Sequence, residues 1–122
     1  MKKLLLLMLA AGALSGFYSC KSSKSTTSTA AVNCGDAKPT YTTDIKPILD
    51  THCAATCHSA KNMADGIDLS SYEGAKAVSG KKKFLGAIRH EFGYPPMPKK
   101  ADKLADADIT KIACWVQNGS AE

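Results

Sequence analysis

The stretch Cys53-Ala54-Ala55-Thr56-Cys57-His58 packs two thiols and an imidazole into six residues. Three chemistries suit such a set. Cys-x-x-Cys-His is the attachment signature of c-type haem, and this run departs from it by one extra residue between the cysteines. On that reading Cys53 and Cys57 form thioethers with the haem vinyl groups, and His58 binds the iron from one side of the ring. Cys-x(2–4)-Cys is also a half-site of structural zinc, for which His52, His58, Cys34 or Cys114 would supply the missing ligands. The third reading is a disulfide between Cys53 and Cys57.

Helix geometry tolerates the extra residue. Positions i+3 and i+4 both return to the face of residue i, so cysteines at either spacing can meet one edge of a flat macrocycle. His58 lies about 100° further round and can turn beneath the iron. A locally widened turn is the distortion to expect.

A second ligand is offered by Tyr94-Pro95-Pro96-Met97-Pro98. Three prolines around one methionine stiffen the backbone. A thioether is a soft, neutral ligand, and His/Met ligation is an arrangement that raises the potential of a haem. Met97 follows His58 by 39 residues, enough chain to reach the other face of a ring. The plainer reading is a methionine packed under a Pro-rich turn, and the case for ligation depends on the motif upstream. Met63, five residues after His58, reads as a gap-filler, His52 as a packed and hydrogen-bonded residue, and His90 as a surface or capping histidine with distal ligation as its minor option.

Helices must position these groups. Thr42 or Thr43 is expected to cap a helix starting at Asp44, with Pro47 in its first turn. Ile45, Ile48, Leu49, His52 and Cys53 then share one face that leads into the motif. Residues 59–68 read as a loop. Ser70 and Glu73 form a capping box for a short helix to about residue 78, ended by Gly80. A third helix is expected over residues 81–91, with Phe84, Leu85 and Ile88 on its apolar face and Gly93 as the stop. The last begins near Asp106 as cap, buries Ile109, Ile112, Ala113 and Val116, and ends at Gly119. Trp115 beside that stripe reads as core packing, with packing at the haem edge as the alternative.

The first third of the chain has another character. Lys2 and Lys3 precede an apolar run over residues 4–14, a secretory signal too short to span a bilayer as a mature helix. Ser19-Cys20 resembles the cleavage site of bacterial lipoproteins, although Phe17 and Tyr18 stand where that pattern has an aliphatic and a small residue. The resemblance implies a signal peptide over 1–19, a lipidated Cys20 and a membrane anchor, the alternative being ordinary cleavage and a soluble periplasmic protein. Seven of the twelve residues 21–32 are Ser or Thr, too little apolar surface to fold, so a flexible tether is expected over 20–33 and the folded domain over 34–122.

The net charge of +5 belongs mostly to the leading segments. From Asn33 onward twelve Lys or Arg face eleven Asp or Glu, leaving +1, which gives no support to nucleic-acid binding. Lys81-Lys82-Lys83 reads as a solvated helix start. With Cys20 lipidated and Cys53 and Cys57 on haem, Cys34 and Cys114 remain. Disulfides persist in exported proteins, so this pair is expected to bridge, the alternative being two buried thiols.

From Tyr41 to Gly119 the chain resembles small bacterial monohaem cytochrome c domains. The resemblance rests on Asp44-Ile45-Lys46-Pro47-Ile48-Leu49 before Cys53…Cys57-His58, Gly66-Ile67-Asp68-Leu69-Ser70 after it, Pro96-Met97-Pro98, and Ile109…Ile112…Trp115-Val116. It implies an all-α, cytochrome c-like fold: about four short helices around one covalently bound haem c, first and last helices packed together. It carries Cys53 and Cys57 over as thioether positions, His58 as proximal and Met97 as distal ligand. The function to expect is electron transfer by a membrane-anchored monomer in the bacterial periplasm or cell envelope, with redox proteins as partners. No nucleophile–base pair or paired carboxylates argue for an enzyme. The alternatives are a haem-based gas or redox sensor, and a zinc- or disulfide-stabilised binding lipoprotein without haem.

Overall fold

The computed structural model describes residues 31–122. The signal segment, Cys20 and the Ser/Thr-rich run up to residue 30 lie outside the described residues. The folded part begins slightly earlier than the sequence suggests: Val32, assigned above to the tether, packs against the core.

Among the described residues the structure is helical, with no strands and one isolated bridge between His58 and Met63. Tyr41–Ile45, Lys46–Leu49 (α1) and Asp50–Ala54 follow one another without a break. The outer two segments are π-helical. In them the N–H groups of Lys46 and Ala55 reach back five residues, to the carbonyls of Tyr41 and Asp50. The helix thus starts at Tyr41 instead of Asp44. Its cap is Thr40, whose N–H donates to Asp44 Oδ2 at 3.0 Å, so Asp44 closes the first turn from inside. Pro47 accordingly lies within the helical stretch, just past the switch between the two spacings, where a helix can absorb a residue that cannot donate.

α2 (Tyr72–Ser79) is capped by Ser71, which accepts from Gly74 N–H at 3.2 Å. The expected cap, Ser70, is otherwise engaged: its N–H and hydroxyl both donate to Asp68 Oδ1, at 2.8 and 2.6 Å. Those two bonds hold the Asp68 carboxyl below its usual range. α3 (Lys82–Ile88) is shorter than expected. It stops at His90, a non-glycine residue with φ 56°, three residues before Gly93. α4 (Asp106–Gln117) has Asp106 as its first helical residue, Ala105 occupying the cap position. Asp106 and Asp108 in the first turn suit the positive end of the helix dipole.

The core gathers around α4. Trp115, Ile45, Leu49 and Ile112 are its largest fully buried side chains, and Val116, at the margin of the stripe, is half-buried. The Tyr41 ring lies 6.2 Å from that of Trp115 and 5.5 Å from that of Tyr72, joining the first helical stretch to α4 and α2. Trp115 Nε1–H donates to Ala121 O, as does Tyr41 N–H. Cys34 and Cys114 form a disulfide with Cα atoms 5.6 Å apart, closing a sequence separation of 80 residues. In the chain-entropy picture a loop of that length is worth roughly 4–5 kcal/mol.

Candidate functional site

The first helical stretch delivers the motif. Its second π-helical segment, Asp50–Ala54, carries Cys53, and the widening continues through the motif: His58 N–H donates to Cys53 O at 3.0 Å, five residues back. Cys57 N–H uses the same carbonyl at 3.3 Å. One carbonyl thus serves both register choices, and the extra residue between the cysteines is absorbed as a wide turn. Such π-turns are frequent at functional sites. Leu69 N–H then donates to His58 O at 2.7 Å, tying the motif to the buried Leu69.

The four sequence-predicted site residues meet at one cleft. Its wide lobe, about 550 Å³, is lined by Cys53, Cys57, His58 and Met97, with Leu104 and Ala105 behind them. That volume falls within the ~300–1,000 Å³ range of small-molecule and cofactor pockets. A smaller lobe of about 90 Å³ lies between Ile67, Leu69, Val78, Phe84, Ala87 and Ile88. Cys53, His58 and Met97 line both lobes, so they stand where the two join. Lysines edge the opening: Lys81 and Lys83 at the smaller lobe, Lys99 and Lys103 at the wide one.

Each side chain is suited to a ligand in a different way. Cys53 and Cys57 are free thiols, Cys57 exposed and Cys53 half-buried. Burial, assisted by the neighbouring Cys57, pushes the Cys53 thiol up to about 11, so it stays protonated at neutral pH. His58 is only 9% exposed, and its Nδ1 is buried without a hydrogen-bond partner. A desolvated polar atom left unpaired costs about 1–3 kcal/mol. The fold holds this imidazole beside the cleft with that nitrogen unpaired. Met97 is half-buried on a loop docked to α3, its N–H donating to Ala87 O at 3.0 Å. Tyr94 anchors the same loop: its ring lies on Gly86, where a Cβ would come within 2.4 Å of Tyr94 Cδ2.

Other histidines and methionines fall elsewhere. His52, expected to be packed, is exposed on the rim of the wide lobe, because the π-helical spacing rotates it off the apolar face. Met63 is 52% exposed and lines neither lobe. Trp115 is fully buried in the core and also lines neither. His90 is exposed, with Nε2 3.1 Å from Met97 O; sequence reasoning assigned it no such contact, and only its place after an apolar helix face pointed toward a cap. Cys34 and Cys114, two of the four ligands considered for zinc, are consumed by their disulfide. Among the described residues no three His, Cys, Asp or Glu side chains converge to hold a metal ion.

Two thiols, an imidazole and a thioether around an apolar cleft fit a covalently bound haem. The free thiols and the size of the wide lobe agree with such a group, whereas the Cys and His side chains around the lobe do not converge as a tetrahedral zinc site requires. No helix among the described residues is long and apolar enough to cross a membrane. Searches of protein-family models, curated proteins and solved structures found no match to this chain.

Proposed function

We propose that residues 34–122 form a c-type cytochrome domain that transfers single electrons. The observation that carries this reading is the convergence of Cys53, His58 and Met97 at the junction of one apolar cleft, although Met97 is 39 residues from the motif in sequence. Cys53 and Cys57 would hold the haem through thioethers, with His58 and Met97 as its iron ligands. When bound, the haem supplies reversible one-electron chemistry at its iron.

The chain's own residues fix the conditions. Cys53 and Cys57 keep the cofactor on the chain whatever the redox state. His58 would offer a ring nitrogen from a largely buried side chain, which limits competition by water. Met97, gripped at its main chain by α3, offers sulfur from a loop whose prolines restrict its motion. Ile67, Leu69, Val78 and Ile88 exclude water from the smaller lobe, which favours the reduced, less charged state of an enclosed metal centre. With two protein ligands provided, substrate has no open position, and transfer of electrons to and from protein partners is the activity that remains. Export and lipidation at Cys20 complete the proposal: a membrane-anchored protein of the bacterial periplasm or cell envelope.

The test is a visible spectrum of the protein co-expressed with haem-maturation machinery, before and after acid–acetone extraction. Covalent colour, together with the weak sulfur-to-iron band of the oxidised form, is the expected result. Covalent colour without that band removes Met97 from the ligand set. A colourless product despite working maturation refutes the proposal. Carbon monoxide binding to the reduced protein would reassign it as a gas sensor.

A further inference from the structure

His90 lies outside the proposed ligand set, yet its backbone is held in an unusual state. It occupies φ 56°, the left-handed region where the residue after a helix is most often glycine. It closes α3 in a complete Schellman arrangement: His90 N–H donates to Ala87 O at 3.2 Å, and Glu91 N–H to Gly86 O at 2.9 Å. Glycine would make both bonds with less strain. What glycine cannot supply is the ring, and the His90 ring is placed: its Nε2 lies 3.1 Å from the carbonyl oxygen of Met97.

The same peptide is held on its other side. Met97 N–H donates to Ala87 O at 3.0 Å, a backbone bond that any sequence could make here. The end of α3 thus grips Met97 at both its N–H and its carbonyl, and only the second grip depends on a side chain. An observed backbone outlier beside a proposed ligand is a reasonable starting point for a functional inference.

We propose that His90 is a positioning residue for Met97. Donating from Nε2 to the Met97 carbonyl, it keeps the thioether directed at the cleft and disfavours its replacement by external ligands. The bond requires the tautomer with the proton on Nε2. This inference rests on the haem reading above and adds to it a residue that touches neither the iron nor the ring.

Two substitutions in the haem-loaded protein separate side chain from backbone. His90→Gly keeps a residue suited to φ 56° and deletes the ring, so thermal stability should be equal or higher. His90→Gln restores an N–H donor of comparable reach. Imidazole is titrated into the oxidised protein while the sulfur-to-iron band is followed. His90→Gly is expected to bind imidazole about three- to tenfold more tightly than wild type, the scale of one hydrogen bond, and His90→Gln to recover part of the difference. Exchange of the Met97 amide hydrogen, a readout that does not involve the iron, should quicken by a similar factor. Equal imidazole affinity and equal amide exchange in wild type and His90→Gly overturn the positioning role and leave the haem reading intact. A wild-type protein with covalent haem but no sulfur-to-iron band overturns the role by removing Met97 as ligand. A colourless wild-type protein fails the haem reading itself and takes the role with it.

Discussion

The region around the end of α4 and the region around the cleft are built on opposite terms. At the end of α4 nearly every polar group is answered. Trp115 Nε1–H donates to Ala121 O at 2.6 Å, Tyr72 hydroxyl to Ser120 O at 3.0 Å, and the buried Ser120 hydroxyl to Ser79 Oγ at 2.8 Å. Asn118 reaches across to Ala37 O, and a disulfide closes the whole. The exception is the Tyr41 hydroxyl, buried without a partner. At the cleft, by contrast, no side-chain hydrogen bond is made by Cys53, Cys57, His58 or Met97 within the described residues; the loop that bears Met97 is held through its backbone and through Tyr94. One region is closed by the chain's own hydrogen bonds, and in the other these four side chains that line the cleft make none.

Substitutions can break this contrast or make it sharper. Cys34→Ser with Cys114→Ser should have the largest effect, a loss of roughly 4–5 kcal/mol in denaturant unfolding, and the cleft should be lost in the same cooperative transition. A separate, earlier loss of the cleft would show that the two regions fold independently. Gly86→Ala acts on the other side. Its Cβ meets the Tyr94 ring, and relief of that overlap should cost about 1–3 kcal/mol while loosening Met97, visible as faster oxidation of its sulfur by peroxide. The smallest effect should have the opposite sign. His58→Leu removes the unpartnered Nδ1 from a buried position, so the haem-free chain should gain about 1 kcal/mol in thermal or denaturant unfolding, at the expense of the proposed iron ligand. A destabilised His58→Leu chain would mean that His58 belongs to the region closed by the chain's own bonds after all.

The sequence made legible what depends on side-chain type at regular spacing. The Ile109, Ile112 and Ala113 stripe of α4 and the end of α2 at Gly80 follow from apolar period and glycine placement. Residue type singled out Cys53, Cys57 and His58, and the flanking prolines singled out Met97, and these four residues do line one cleft. What escaped depends on competition between neighbouring groups. Ser70 and Ser71 are both good caps, and the Asp68 carboxylate decides between them by engaging Ser70. The end of α3 escaped because a histidine takes a conformation usually left to glycine. The early start at Tyr41 escaped because backbone bonding over five residues has no period in the sequence, and the same spacing turned His52 outward. The contact between His90 and Met97 is invisible in one dimension, since it exists only once the loop has folded back on α3.

The Cys34–Cys114 bridge also determines how the domain carries load. A pull applied between the chain on the N-terminal side of Cys34 and the C-terminus at Glu122 crosses directly from sulfur to sulfur. Residues 35–113 form a covalent bypass around that line, loaded through noncovalent contacts such as the hydrogen bonds that Tyr41, Tyr72 and Ser79 make to residues 120 and 121, and the bypass contains Cys53, Cys57, His58, Met97 and His90. Such a pull can break those bonds, but it cannot draw out the chain between the two cysteines while the bridge holds.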